Sequence, residues 1–234
     1  MVRHLAISDI HGCFDALTTL AETVGFLDDD VIITLGDYVD RGPNSCAVID
    51  WLMHVDRTNT LVPLKGNHEV MMLQARDDDS GYFSSWMNCG GEETLRSYSP
   101  FDDDSGSLAD VPDHHWDFIE TLRPVYECET HFFVHANAHP GMTLADQPDF
   151  MLYWEPFGDP DRHESGKIMV CGHSSQRSGL PLMNENAICI DTRCYGGGWL
   201  SCLHVEEGII WQANENGRTR QFHVDEIAEM RAQL

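Results

Sequence analysis

Short apolar runs in the first third of the chain alternate with stretches of helical spacing. Residues 5–8, 31–35 and 61–64 are runs of strand length, rich in Ile, Leu and Val. Residues 14–24, 47–55 and 69–75 instead repeat apolar positions every three or four residues, the period of a half-buried helix. Strands that alternate with helices predict a parallel sheet with helices on its faces. Residues 77–130 break the pattern, with polar loops around two predicted helices, 92–98 and 112–122. Apolar runs return at residues 131–135, 168–172, 187–191, 199–205 and 209–213, which predicts a strand-rich second half. The expected fold class is α/β, a central sandwich in one domain, with residues 77–130 as a helical cover near one edge.

A chain of 234 residues suits one sizeable core. Its formal net charge of −25 repels nucleic acid and anionic membrane, so neither is an expected partner. Much of that charge sits in Asp28-Asp29-Asp30, Asp77-Asp78-Asp79 and Asp102-Asp103-Asp104. None fits the twelve-residue calcium loop, so these runs read as solvated loops. No run is long and charge-free enough to span a bilayer, and nothing at the start resembles a signal peptide. The eight cysteines show no C-x-x-C pairing. Together these features make a cytoplasmic protein with reduced thiols the expectation.

The chemistry gathers at strand ends, where ligands bind in open α/β sheets. The first strand runs into Ser8-Asp9-Ile10-His11-Gly12, the second into Gly36-Asp37-Tyr38-Val39-Asp40-Arg41-Gly42, and the third into Gly66-Asn67-His68-Glu69. Two later strands end near His135 and His173. Residues two apart in an extended segment point the same way, so Asp9 and His11 can address one ion. Carboxylate, imidazole and amide oxygen together suit Mn, Fe or Zn better than calcium or a thiolate site.

In this order, D-x-H-G, G-D-x-x-D-R-G, G-N-H-E, a strand-end His and a Gly-His resemble the phosphoprotein phosphatase branch of the calcineurin-like metallophosphoesterases, above all its compact bacterial and phage members. The resemblance runs from Asp9 to about Ala213. It implies an α-β-β-α fold, a β-sandwich flanked by helices, and two divalent transition metal ions, Mn first with Fe or Zn as alternatives. By that resemblance Asp9 and His11 bind the first metal, Asp37 bridges both, and Asn67, His135 and His173 bind the second. A metal-activated hydroxide would attack phosphorus while Arg41 holds the phosphate. His68 would protonate the leaving group, oriented by Asp40. The implied function is phosphomonoester hydrolysis, first as a serine/threonine protein phosphatase acting on a phosphorylated protein, or on a small phosphomonoester. Two alternatives are a diadenosine tetraphosphate hydrolase and an inactive binding module on the same fold. The first tends to carry alanine for the second aspartate and G-N-H-D, whereas this chain has Asp40 and Glu69.

The pattern is departed from in three places. Ser8 replaces a usual glycine, and Arg193 follows Asp191-Thr192 where glycine is usual. A second phosphate-binding arginine is expected near a tryptophan, but this chain reads Tyr153-Trp154-Glu155. Arg177 is the first candidate replacement, on the loop after His173, and Arg162 the second. His139 is a further candidate to line the site. His54, His114, His115, His204 and His223 read as surface or helix histidines. Trp86 and Cys89-Gly90-Gly91 lie in the cover, where they are expected either to shape the approach of substrate or to be structural.

Overall fold

The computed structural model describes residues 2–77, 81–101 and 105–233. Of the acidic runs, Asp78, Asp79 and Asp102-Asp103-Asp104 lie outside the described residues. The elements in chain order are β1 His4–Ile7, α1 Phe14–Val24, β2 Val31–Thr34, α2 Ser45–Thr58, β3 Thr60–Pro63 and α3 Asn67–Arg76. The middle contributes α4 Tyr82–Trp86, a π-type turn Met87–Gly91, α5 Glu92–Tyr98 and α6 Asp113–Glu120. Then follow β4 Val125–Glu127, β5 His131–Val134, α7 Asp149–Tyr153, β6 Ile168–Cys171, β7 Leu182–Met183 and β8 Ala187–Cys189. The chain closes with β9 Leu200–His204, β10 Ile209–Ala213, β11 Thr219–His223 and α8 Ile227–Ala232.

The strands form two sheets. One has the order β11-β10-β9-β1-β2-β3 and the other β4-β5-β6-β8-β7. β1, β2 and β3 pair in parallel through α1 and α2, and β5, β6 and β8 form a second parallel set. Alternation along each strand divides its side chains between two layers. In β1, Ala6 faces the layer between the sheets, with Ile33, Phe133 and Val170, while Leu5 and Ile7 face α1 and α2. In β5, Phe133 points inward and Phe132 and Val134 pack beneath α7 with Leu152 and Tyr153. Helix, sheet, sheet and helix therefore stack in one domain, and both faces of the parallel strands are covered.

Three strands outside the sequence expectation, β4, β7 and β11, are sheet edges. An edge strand pairs on one side, so it needs few apolar residues; in β11 only Phe222 is fully buried. The third helix begins at Asn67 and not at Glu69 as its apolar spacing suggested. The Glu69 carboxylate turns back to accept the Gly66 N–H at 2.9 Å, a capping-box contact that winds the preceding polar residues into the first turn. All eight cysteines are free.

Candidate metal centre

Loops from the ends of β1, β2, β3, β5 and β6 converge around the Asp37 carboxylate. The first two are locked together: Ile10 and His11 donate their N–H groups to the Asp37 carbonyl at 3.0 and 2.8 Å, and Gly12 donates to Tyr38 at 2.9 Å. Glu69, fully buried, holds the second loop from below. Its carboxylate accepts the N–H groups of Asp37 at 2.9 Å, Tyr38 at 2.7 Å and Val39 at 3.3 Å. These contacts sustain an unusual backbone. His11 (φ 47°), Asp37 (52°), Asp40 (72°), Arg41 (70°) and His173 (61°) are all left-handed, a conformation that costs a non-glycine residue on the order of 1 kcal/mol. Glycine is needed where chains close in. A Cβ on Gly172 would fall on Asp9 Oδ1, and one on Gly66 would fall on Asp37 Oδ1.

Asp37 stands at the centre. Its carboxylate forms one group with His11 and His68 and another with His135 and His173, each with ligand atoms within 4.8 Å of one another. His11 Nε2 lies 3.4 Å from Asp37 Oδ2, and His135 Nε2 lies 3.4 Å from Oδ1. Asn67 Oδ1 lies 2.9 Å from His135 Nε2 and 3.0 Å from His173 Nδ1. Asp9 belongs to neither group; its carboxylate accepts the His173 N–H at 2.9 and 3.1 Å.

The donor set fits divalent ions. His11 Nδ1 faces the Val39 carbonyl at 2.9 Å and His135 Nδ1 the Leu35 carbonyl at 2.8 Å. Each ring then donates through Nδ1 and turns the Nε2 lone pair toward Asp37, the tautomer a metal ligand needs. His173 does the reverse, with Nε2 against the Trp154 carbonyl at 3.2 Å and Nδ1 inward. Burial pushes the His11 and His135 pKa values down, and burial with the neighbouring His135 lowers His173 to about 4. Burial thus favours the neutral form of these rings, the form that ligates. The carboxylates carry the opposite demand. Burial raises Asp9, helped by Asp191 and Asp37. Burial also opposes ionisation of Asp37, but positive charge on the surrounding His135, His68, His11 and His173, when they carry it, outweighs burial and holds its pKa below the carboxylate range. Buried carboxylates gathered with imidazoles whose charged form burial disfavours call for cationic charge.

His68 and Asp40 make a second unit. His68 Nδ1 meets Asp40 Oδ2 at 2.6 Å, and its Nε2 lies 3.9 Å from Asp37 Oδ2. Burial lowers the His68 pKa, but Asp37 and Asp40 more than reverse that and raise it overall. Asp40 is saturated with donors: the Trp86 indole N–H at 2.9 and 3.0 Å and the Thr94 hydroxyl at 2.7 Å. Trp86 is therefore a buried support of this carboxylate and does not shape the approach of substrate. Gly90 accepts the Arg41 N–H at 3.2 Å, so the Cys89-Gly90-Gly91 segment braces the Arg41 loop.

The arginines separate clearly. Arg41 is exposed, and its Nη1 donates to His11 Nε2 at 2.9 Å. Arg177 is exposed on the loop after His173. Arg162 lines a cleft with Lys167 and Ile168. Ile168 starts β6, whereas His173 follows its end, so Arg162 sits a strand's length from the centre. His139 is exposed, with its ring accepting the Gly141 N–H at 3.2 Å. His115 lies on α6, buried between Tyr98 Oη at 2.9 Å and Asp50 at 3.1 Å, whereas His204 is buried in β9 and is neither a surface nor a helix histidine. No sequence signal marks Thr94, and Tyr195 is marked only as part of the Tyr195-Gly196-Gly197 turn that resembles the family's close. The Tyr195 ring stands edge-on to His11, 4.8 Å between centroids, and Arg41 Cζ lies 4.6 Å above it.

The chain is similar to several known proteins. The chain is 35% identical over 92 residues to serine/threonine-protein phosphatase 1 of Salmonella typhimurium, covering 38% of this chain and 40% of that protein. It thus spans about two fifths of the length of the first curated relatives it matches. A symmetrical bis(5'-nucleosyl)-tetraphosphatase of Nitrosospira multiformis is 24% identical over 277 residues, 93% of this chain and 98% of that one. Among solved structures, the cold-active protein-tyrosine phosphatase of a Shewanella psychrophile superposes with a TM-score of 0.59 at 18% identity, over 94% of this chain and 80% of that chain. A metallophosphoesterase from Sphaerobacter thermophilus gives 0.54 at 16% identity, over 99% and 93%. The profile of the calcineurin-like phosphoesterases matches residues 2–200, and the chain belongs to that family.

Proposed function

We propose that this chain is a metal-dependent phosphomonoester hydrolase whose first substrates are phosphorylated proteins, a serine/threonine protein phosphatase. The observation that carries the choice is the His68–Asp40 pair at 2.6 Å. An alkoxide leaving from phosphoserine is strongly basic and needs a proton, which a raised-pKa imidazole supplies. A nucleotide leaving from a polyphosphate is a weak base and needs none. Two divalent transition ions, Mn first with Fe or Zn as alternatives, supply Lewis acidity and water activation when bound. Asp37 would serve both ions, with Asp9 and His11 on one side and Asn67, His135 and His173 on the other. Arg41 binds phosphate oxygens through its planar fork, and His68 Nε2 delivers the proton while Asp40 orients the ring. Small phosphomonoesters meet the same groups. The net charge of −25 disfavours nucleic acid and anionic membrane as partners. Among the described residues no helix is long and apolar enough to cross a membrane.

A second reading, hydrolysis of diadenosine tetraphosphate, draws support from relatives of that name aligned along most of the chain. A metal-reconstituted panel of phosphopeptides, nitrophenyl phosphate, dinucleoside polyphosphates and diesters decides between them. About two equivalents of transition metal per chain and fastest turnover of phosphopeptide are expected. Preference for the dinucleotide would move the assignment to the second reading. A chain that takes up no metal would overturn both.

A further inference from the structure

We propose that Arg193 is a second guanidinium of this site, placed to hold an anionic group of the substrate just beyond the phosphoryl taken by Arg41. The inference rests on the phosphomonoesterase reading above.

Arg193 has φ 62° and ψ 50°, where glycine is at ease and arginine is not. The conformation is nevertheless fixed. The Arg193 N–H donates to Asp191 Oδ1 at 2.9 Å, and its carbonyl accepts Gly196 at 3.1 Å and Gly198 at 3.0 Å. The side chain lies back along this turn, over Gly196, where a Cβ would come within 2.7 Å of the Arg193 Cζ. That path brings its Cζ to 5.6 Å from the centre of the Tyr195 ring, the ring that also carries Arg41 at 4.6 Å and meets His11 edge-on. One aromatic ring thus presents two guanidinium groups at the rim of the metal centre.

Charge completes the case. Acidic residues outnumber Lys and Arg by 39 to 14 in this chain, and Arg3, Arg76 and Arg96 all pair with carboxylates. Among the described residues neither Arg41 nor Arg193 forms such a pair. Most other arginines are, among the described residues, in no ion pair either, so it is the shared Tyr195 ring beside the metal-binding side chains that sets these two guanidinium groups apart as a place for an anion. Arg41, though exposed, touches the metal-binding side chains directly through Nη1 and His11 Nε2, whereas half-buried Arg193 reaches the site only through the Tyr195 ring. The anion held by Arg193 is therefore an outer one: a carboxylate beside the phosphorylated residue, or the next phosphate of a polyphosphate.

The test compares Arg193→Gly, which suits the left-handed backbone, with Arg193→Lys, which keeps charge and loses the fork. Four substrates are used on the metal-reconstituted enzyme: phosphoserine peptides with acidic and with neutral flanks, diadenosine tetraphosphate and nitrophenyl phosphate. Dissociation constants for both peptides are also measured by calorimetry in a His68→Asn background. Losing one charge-assisted bond should cost about tenfold. Arg193→Gly is expected to lower that much either the acidic-over-neutral preference or the dinucleotide-over-nitrophenyl preference. The change should appear in KM and in the dissociation constants, not in kcat, with partial rescue by lysine and no fall in Tm. The arm that moves identifies carboxylate or phosphate. Unchanged preferences in both arms, or equal losses on every substrate with a lowered Tm, would overturn the inference and leave the phosphomonoesterase reading intact. A wild-type chain that hydrolyses no phosphomonoester would overturn both.

Discussion

Replacing Asp40 by asparagine tests the proton-delivery argument with the least disturbance of the backbone. Asp40 has φ 72°, and asparagine tolerates that conformation. The change removes the negative charge 2.6 Å from His68 Nδ1. A charge-assisted hydrogen bond of this kind is worth about 2 kcal/mol, or about 30-fold in rate if it acts only in the transition state. The sign with pH follows. Burial lowers the His68 pKa, and Asp37 and Asp40 together reverse that. Without the Asp40 charge burial gains weight and the pKa falls. The protonated acid is then lost at lower pH, so the alkaline limb of the kcat profile shifts downward. There is also a folding cost. The amide nitrogen of asparagine cannot accept from Trp86 or Thr94 as the carboxylate does, and one buried donor left without a partner costs about 1–3 kcal/mol. The assay is kcat against pH for a phosphoserine peptide and for nitrophenyl phosphate, whose leaving group needs no proton. The loss should be concentrated in the peptide. Equal losses on both substrates, or an alkaline limb that does not move, would refute the role assigned to His68 and Asp40.

Two further outcomes follow from local geometry. Gly172→Ala puts a methyl group where Asp9 Oδ1 lies, so metal content should fall while far-UV circular dichroism is retained; a variant with full metal content would show that the Asp9 loop yields easily. Arg3 Nε and Nη2 hold the buried Asp30 carboxylate at 2.7 and 2.5 Å, and against the opposing effect of burial this pair and the Leu27 N–H keep the Asp30 pKa low. Stability from a depressed carboxylate pKa is present above the unfolded value and lost as pH falls through the folded one, so Arg3→Met should destabilise by about 3 kcal/mol at neutral pH and by much less below about pH 3, as denaturant titrations at both pH values would reveal.

What the sequence disclosed was what lies close along the chain. Asp9 and His11 are two residues apart, Asn67 and His68 are adjacent, and each set follows an apolar run that can only be a strand. The support beneath them was hidden because it comes from afar. Trp86 and Thr94 reach Asp40 across 46 and 54 residues, and Tyr195 meets His11 from the opposite end of the chain. No periodicity encodes such contacts. The edge strands β4, β7 and β11 escaped for another reason, since pairing on one side leaves a weak apolar signature. Arg193 was visible as a departure from a glycine position, but only the shared Tyr195 ring gave that departure a meaning.

The proposed ligands come from two sheets. Asp9, His11, Asp37 and Asn67 follow strands of one, and His135 and His173 follow strands of the other. An ion gripped by both acts as a rivet through the sandwich, and its affinity exists only while the layers are closed. At a free concentration a hundredfold above its dissociation constant, each such ion adds about 2.7 kcal/mol to the closed state. A chain starved of metal should part between its layers more often and meet proteases in that condition. If these ligands hold the ions proposed above, supply of the ion would govern how long each molecule lasts as well as whether it works.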